Sequence, residues 1–250
     1  MTPEEVKAFM GWFKWLLFAL MIVAVILLVF FSIRNFKKKN INPVKFISVT
    51  GIFAAISVLL YVVIPDFGLG FTPPWLKVHL DEIPMFLAGY MYGPLSAIMV
   101  NLIKTFIKLP MTTTAAVGEL GDFVFSLIFV IPAVILYEKR RKLSSVFIGV
   151  SISTVAHVIF AMIFNVYALV PFYSNVMGYP IAALEAMCSK IVPAVSGENW
   201  VWMYALIMVG PMNLIKDVIV FVVVLLLYKR LHILINRIGQ RNDNLSFNEH

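Results

Sequence analysis

Apolar runs long enough to cross a bilayer recur along the chain, separated by short polar stretches in which the positive charges collect. The first spans Trp15 to Ile33, and the second Phe46 to Pro65, about 20 residues and so about 30 Å of helix. Between Asp66 and Asp81 the glycines at 68 and 70 and Pro73-Pro74 break regular structure, with Phe67, Phe71 and Trp75 interleaved. That pattern predicts an outer loop whose aromatics either sit in the interface belt or close over a ligand. Two shorter helical pieces follow, Glu82 to Tyr92 and Pro94 to Leu109, joined by a Gly93-Pro94 turn. After a threonine-rich loop from Pro110 to Val117 come spans from Gly118 to Tyr137 and from Ser144 to Val170. A long outer segment, Pro171 to Asn199, is expected to be helical around Ile181 to Ile191, and segments of that length tend to be lids or binding elements. The last span covers Trp200 to Tyr228. The pattern predicts an all-α integral membrane protein with seven spans and three regions: an N-terminal helix and basic linker (1–40), a six-helix membrane domain (41–235) and a polar tail (236–250).

Composition and charge sharpen this reading. Of the 250 residues 61% are hydrophobic and 13% charged, and a mean hydropathy of +0.93 is outside the range of soluble domains. The net charge of +7 would suit nucleic acid only if it formed a face, and it does not. Thirteen of the twenty lysines and arginines lie in three clusters: Arg34 to Lys45, Lys139 to Lys142, and Lys229 to Arg241. By the positive-inside rule these mark the cytoplasmic side, which places the N-terminus outside and the C-terminus in the cytoplasm of a multi-pass cell-membrane protein. The first span is preceded by Glu4 and Glu5 against Lys7 and Lys14, and a secretory signal would carry its positive charge in front, so an uncleaved span is expected. Cys188 is the sole cysteine, which excludes an intrachain disulfide. Asn244-Leu245-Ser246 matches a glycosylation acceptor but lies in the expected cytoplasmic tail.

Within the last span, Gly210-Pro211-Met212-Asn213-Leu214-Ile215-Lys216-Asp217 puts an amide, an ammonium and a carboxylate inside the membrane, where polar groups are expensive and mark sites. Asn213 and Lys216, three apart, share a helical face. Asn165 is expected at the same depth as Asn213. Around them gather Thr112 to Thr114, Gly118 and Glu119 at a helix N-terminus, and aromatics including Trp75. Amides answer both donors and acceptors and aromatics offer flat apolar area, so the expected ligand is a planar heterocycle with polar edges. Glu119 and Asp122 either satisfy the helix N-terminus or contact the ligand or a lysine. Lys104 and Lys108 share a stripe with Asn101, and snorkelling to the outer surface is favoured over pairing with acids across the bundle. His157 reads as a hydrogen-bonded structural group. On the second span Gly51, Ala54 and Ala55 offer small residues, for internal packing or for a partner helix. The sequence holds no phosphate loop, metalloprotease helix, nucleophile elbow or metal-spaced cluster, so binding fits better than catalysis and any ATP-driven work needs another subunit. A stand-alone ion-coupled carrier using Lys104, Glu119 and Asp122 as a proton relay is the alternative.

Lys77-x-x-x-Asp81-x-Ile83-Pro84, Gly89, Gly93-Pro94, Gly118-Glu119-Leu120, Asn165 followed by Pro171-Phe172-Tyr173, and Pro211-Met212-Asn213-Leu214-x-Lys216 occur in an order that resembles the riboflavin-binding S component of energy-coupling-factor (ECF) transporters. The likeness runs from about residue 46 to 231. It implies a six-helix S-component bundle, here with one extra N-terminal transmembrane helix. Riboflavin would be a transported ligand rather than a cofactor, and the protein would work with a transmembrane T component and two ATPase subunits. It further implies that Asn165, Asn213 and Lys216 contact the isoalloxazine ring, and that small residues of the first shared helix face the T component. Two departures stand out. Gly118-Glu119-Leu120-Gly121-Asp122 carries an acid where relatives commonly have Gly-Glu-Leu-Ala-Asn, and Thr112 to Ala116 replaces a glycine-rich loop.

Overall fold

The computed structural model describes residues 41–62, 68–112, 117–175 and 177–247, with helical positions scattered from 23 to 37 and side chains as far as 230. The expected span Trp15–Ile33 falls mostly outside the described residues, as does Thr114. Val29 and Phe36, on the helical positions before the bundle, pack against its core, with the Phe36 ring 4.5 Å from that of Phe46.

Helix α1 spans Pro43–Val62 and starts three residues before the apolar run, because Asn42 caps it. The Asn42 Oδ1 accepts from the amides of Val44 (3.0 Å) and Lys45 (3.3 Å), with Pro43 in the first turn, where a missing N–H costs nothing. Its buried stripe is Phe46, Thr50, Ala54, Ser57 and Tyr61, at spacings of three and four. Helix α2, Glu82–Tyr92, is buried on every side and forms the axis of the bundle. It ends at Gly93, whose φ of 88° favours glycine and whose N–H reaches Gly89 O at 2.7 Å. Pro94 then opens α3, Pro94–Lys108, followed by one 3₁₀ turn, Leu109–Met111.

Helix α4, Val117–Arg140, runs through the basic cluster to a tight turn at Arg141. Helix α5, Leu143–Asn175, is a single 33-residue rod that changes to a π-helix over Asn165–Leu169. It absorbs Pro171 to Asn175, expected as outer loop. The expected helix of that segment is present as α6, Ile181–Ile191. Helix α7 begins at Trp200, is π-helical over Ala205–Val209, and its backbone continues from Gly210 to Phe247 through the stretch expected to be a tail.

Among the described residues four helices are long and apolar enough to cross a membrane alone: α1, α4, α5 and α7. Their outward faces are apolar, with Ile47, Ile52, Ile152, Val155, Ile159, Val218, Val222 and Leu226 all exposed. Such a surface would aggregate in water and is the natural boundary with lipid. Inside, one core cluster joins α1 to α5 and α7 around Phe86, Phe129 and Tyr137; a second, around Tyr173, Tyr204 and Met208, lies at the end away from the basic clusters.

Candidate functional site

At that end a cavity of about 530 Å³ is enclosed by the 68–81 loop, the start of α2, the ends of α1 and α3, the start of α4, the π-helical part of α5, α6 and α7. Asn165, Asn213, Lys216, Gly118, Glu119 and Trp75 all line it. Helices far apart in sequence thus bring these expected site residues to one place.

The two amides are held alike. Asn165 opens the π segment of α5 and donates through Nδ2 to Ala161 O at 2.9 Å; Asn213 follows the π segment of α7 and donates to Val209 O at 2.9 Å. In each case the amide uses one N–H on the carbonyl four residues back and keeps the other. The oxygen of Asn165 accepts from Tyr204 OH at 3.0 Å. π-turns of this kind concentrate at functional sites.

The cavity floor is ionic. Lys104 is only 1% exposed; its ammonium pairs with Asp81 and donates to Ser126 Oγ at 3.0 Å. This corrects the snorkelling expectation: the side chain points into the bundle, where a counter-charge on the residue before α2 meets it. Lys216 donates to Glu82 Oε1 at 2.5 Å, with Asp217 Oδ1 3.8 Å away. Asp217 Oδ2 in turn pairs with His157 Nδ1 at 2.8 Å, so His157 has the structural partner expected of it. Consecutive acids, Asp81 and Glu82, therefore serve lysines on two different helices, since neighbouring positions on a turn point apart. Desolvated charges are tolerated only when paired this closely.

The rim is held by hydroxyls. Tyr61 OH donates to Asp122 Oδ2 at 2.7 Å, and Thr112 Oγ1 to Glu119 Oε2 at 2.7 Å. The ammonium groups of Lys104 and Lys108 lie 5.2 and 4.9 Å from the centre of the Tyr61 ring. Lys104 of the imagined proton relay thus bonds to Asp81, while Asp122 and Glu119 are engaged elsewhere. Cys188, on the inner side of α6, is fully buried, and burial pushes its thiol up to about 11. No cluster that could hold a metal occurs among the described residues.

Of the small residues on α1, Ala54 is 1% exposed and faces the bundle, which removes it from any outward contact surface. Gly51 and Ala55 are exposed, and a Cβ on Gly51 would meet nothing within 4 Å.

Residues 45–228 match the protein family described as "ECF transporter, substrate-specific component". The chain belongs to that family. It is a substrate-specific (S) component of a membrane transporter and not an enzyme. Over 202 residues it is 27% identical to the Staphylococcus aureus (strain TCH60) protein named riboflavin transporter RibU, covering 81% of this S component and 98% of that protein. Over 178 residues it is 25% identical to the Bacillus subtilis (strain 168) protein named riboflavin transporter FmnP, covering 70% and 86%. Its fold is similar to a solved structure titled as the S component of a bacterial ECF transporter, with a TM-score of 0.58 and 25% identity over 76% of this chain and 97% of that one.

Sequence reasoning had missed Asp81, Glu82, Tyr61 and Ser126 as parts of the cavity wall. A signal for the acids existed: two lysines inside apolar helices require two counter-charges, and Asp81-Glu82 is an acidic pair at the head of an apolar helix.

Proposed function

We propose that this S component captures riboflavin at the outer face of the bacterial cell membrane. The observation that carries the reading is the polarity of the cavity's polar groups. Asn165 has its oxygen occupied and offers an N–H; Asn213 offers an oxygen and an N–H; Lys216 is a donor. The pyrimidine edge of an isoalloxazine reads carbonyl, N–H, carbonyl, which is the complement of donor, acceptor, donor. Four lysines and four carboxylates line the cavity, and that balance suits an uncharged ring and polyol better than a phosphate ester. The volume lies within the usual range for a small-molecule site, roughly 300–1,000 Å³. The names of the two relatives point to the same ligand.

The sequence has no phosphate loop, so delivery across the membrane falls to partners: a T component in the membrane and two ATPases. Exposed Gly51 and Ala55 on α1 give a helix a close approach. By the positive-inside rule, the three basic clusters support a cytoplasmic C-terminus and a cavity on the outer side.

Titration of the purified protein into riboflavin, read by quenching of flavin fluorescence, tests the capture step. Tight stoichiometric quenching is expected. Asn213→Ala and Lys216→Ala should each weaken binding by roughly 1–3 kcal/mol, because each leaves a ligand group buried without a partner. Unchanged affinity in both variants would remove the site assignment, and no quenching by the unmodified protein would move the ligand to another small polar molecule. Vesicles holding this protein alone should show no uptake driven by an ion gradient; such uptake would establish the carrier instead.

A further inference from the structure

Tyr204 stands behind the cavity wall, 1% exposed, in the last α-helical turn before the π segment of α7. Its hydroxyl has two neighbours. Trp75 Nε1, from the 68–81 loop, lies 3.0 Å from it, and Asn165 Oδ1 lies 3.0 Å from it. The indole N–H can only donate. The hydroxyl therefore accepts from Trp75, and its own hydrogen is left for Asn165. An amide facing an O–H donor presents its oxygen to it. Its nitrogen faces Ala161 O at 2.9 Å, a carbonyl that can only accept and so requires the same orientation, and the second N–H is left for the cavity. Trp75 at one end and the Ala161 carbonyl at the other give the chain Trp75 to Tyr204 to Asn165 a single sense.

We propose that Tyr204 is a positioning residue that, with the Ala161 carbonyl at the nitrogen, holds the Asn165 amide by its oxygen, and that Trp75 sets the direction of the Tyr204 hydroxyl. Asn165 then meets the ligand through its second N–H, which favours a carbonyl over an N–H at that place. Because Trp75 belongs to the loop over the cavity and also lines it, the loop's seating and the amide's polarity form one unit. A phenylalanine at 204 would keep the wall's shape and lose the relay. The inference rests on the flavin reading for its ligand, though the relay itself does not need one.

Two measurements on the full chain separate the relay from the ligand. In detergent, the five tryptophans give up to five indole N–H signals by ¹⁵N-labelled NMR, with that of Trp75 assigned by its loss in Trp75→Phe. Without ligand, the Trp75 signal should be protected from solvent exchange, and it should move upfield in Tyr204→Phe as the indole loses its acceptor. A Trp75 indole that exchanges freely in the unmodified protein overturns the relay without any variant having to fold. Riboflavin titration is the second measurement. Tyr204→Phe should weaken binding about tenfold in the otherwise unmodified chain, and less than about twofold in an Asn165→Ala background. An equal penalty in both backgrounds would show that Tyr204 acts as a packing group and overturns the proposal. Absent flavin binding together with a Trp75 signal that still responds to Tyr204→Phe would overturn the flavin reading and leave the relay in place.

Discussion

The two ends of the bundle are held by different physics. The basic end is close-packed. A Cβ on Gly149 would lie 2.9 Å from the Ala133 Cα, and one on Gly89 would lie 2.5 Å from a Val134 methyl. There Tyr90, Tyr137 and Tyr228 cluster with ring centres 4.6 to 6.0 Å apart, and the hydroxyls of Tyr137 and Tyr228 lie 3.2 Å from each other. The cavity end is open-packed and ionic, with the Asp81–Lys104 and Glu82–Lys216 pairs holding α2, α3 and α7 together around an empty volume. Both of its π segments lie on this side, packed against each other. Tight packing leaves no room for a ligand, so a binding end must be held by directional bonds between groups that stand apart.

The sharpest way to break this contrast is to remove one charge from the cavity end. Lys104→Met leaves Asp81 buried without its partner, which should cost roughly 3–5 kcal/mol and lower the thermal midpoint in detergent. Asp81→Asn combined with Lys104→Met should recover most of that loss. A single variant as stable as the parent would mean that the pair contributes nothing to holding the end together.

A smaller effect should come from adding the same methyl group at the two ends. Gly149→Ala meets backbone at the basic end, and overpacking there should cost roughly 1–3 kcal/mol. Gly121→Ala, at the cavity end, places its Cβ 3.5 Å from the Phe164 ring, an ordinary contact. Helix propensity alone should make that variant neutral or up to about 1 kcal/mol more stable. Equal midpoints for the two variants would erase the packing difference.

The smallest effect should come from Tyr137→Phe, which removes one hydroxyl contact at the basic end and should cost about 0.5–1.5 kcal/mol. Riboflavin affinity should stay within about twofold of the parent, and a larger change would show that the two ends are mechanically linked.

Particular residues show what the chain discloses before folding. The four long helices are legible because a bilayer demands continuous apolar runs, and the Gly93-Pro94 turn because glycine and proline punctuate them. The convergence of Asn165, Asn213 and Lys216 on one cavity was legible from the cost of polar groups at that depth, and the family from the order of its motifs. Helix α2 was less so: with all eleven residues buried it has no polar face to give it a period. The lysine partners were hidden because pairing is a tertiary fact, so the Lys104 stripe fitted two explanations until Asp81 appeared beside it. Ala54 was grouped with Gly51 and Ala55 for its size, and only the phase of the α1 buried stripe separates them. Neither π segment has a composition that announces it. Nothing in the sequence singles out Tyr204, because the use of its hydroxyl depends on a loop 129 residues away.

The bond between Glu82 and Lys216 joins positions 134 residues apart, and that separation bears on how the protein is made. Glu82 emerges from the ribosome early, at the head of a helix too short to insert alone. Its counter-charge arrives only with the final span. Every nascent chain that stops before α7 therefore carries Glu82 without the lysine it bonds in the finished bundle, and the last helix to be synthesised supplies it.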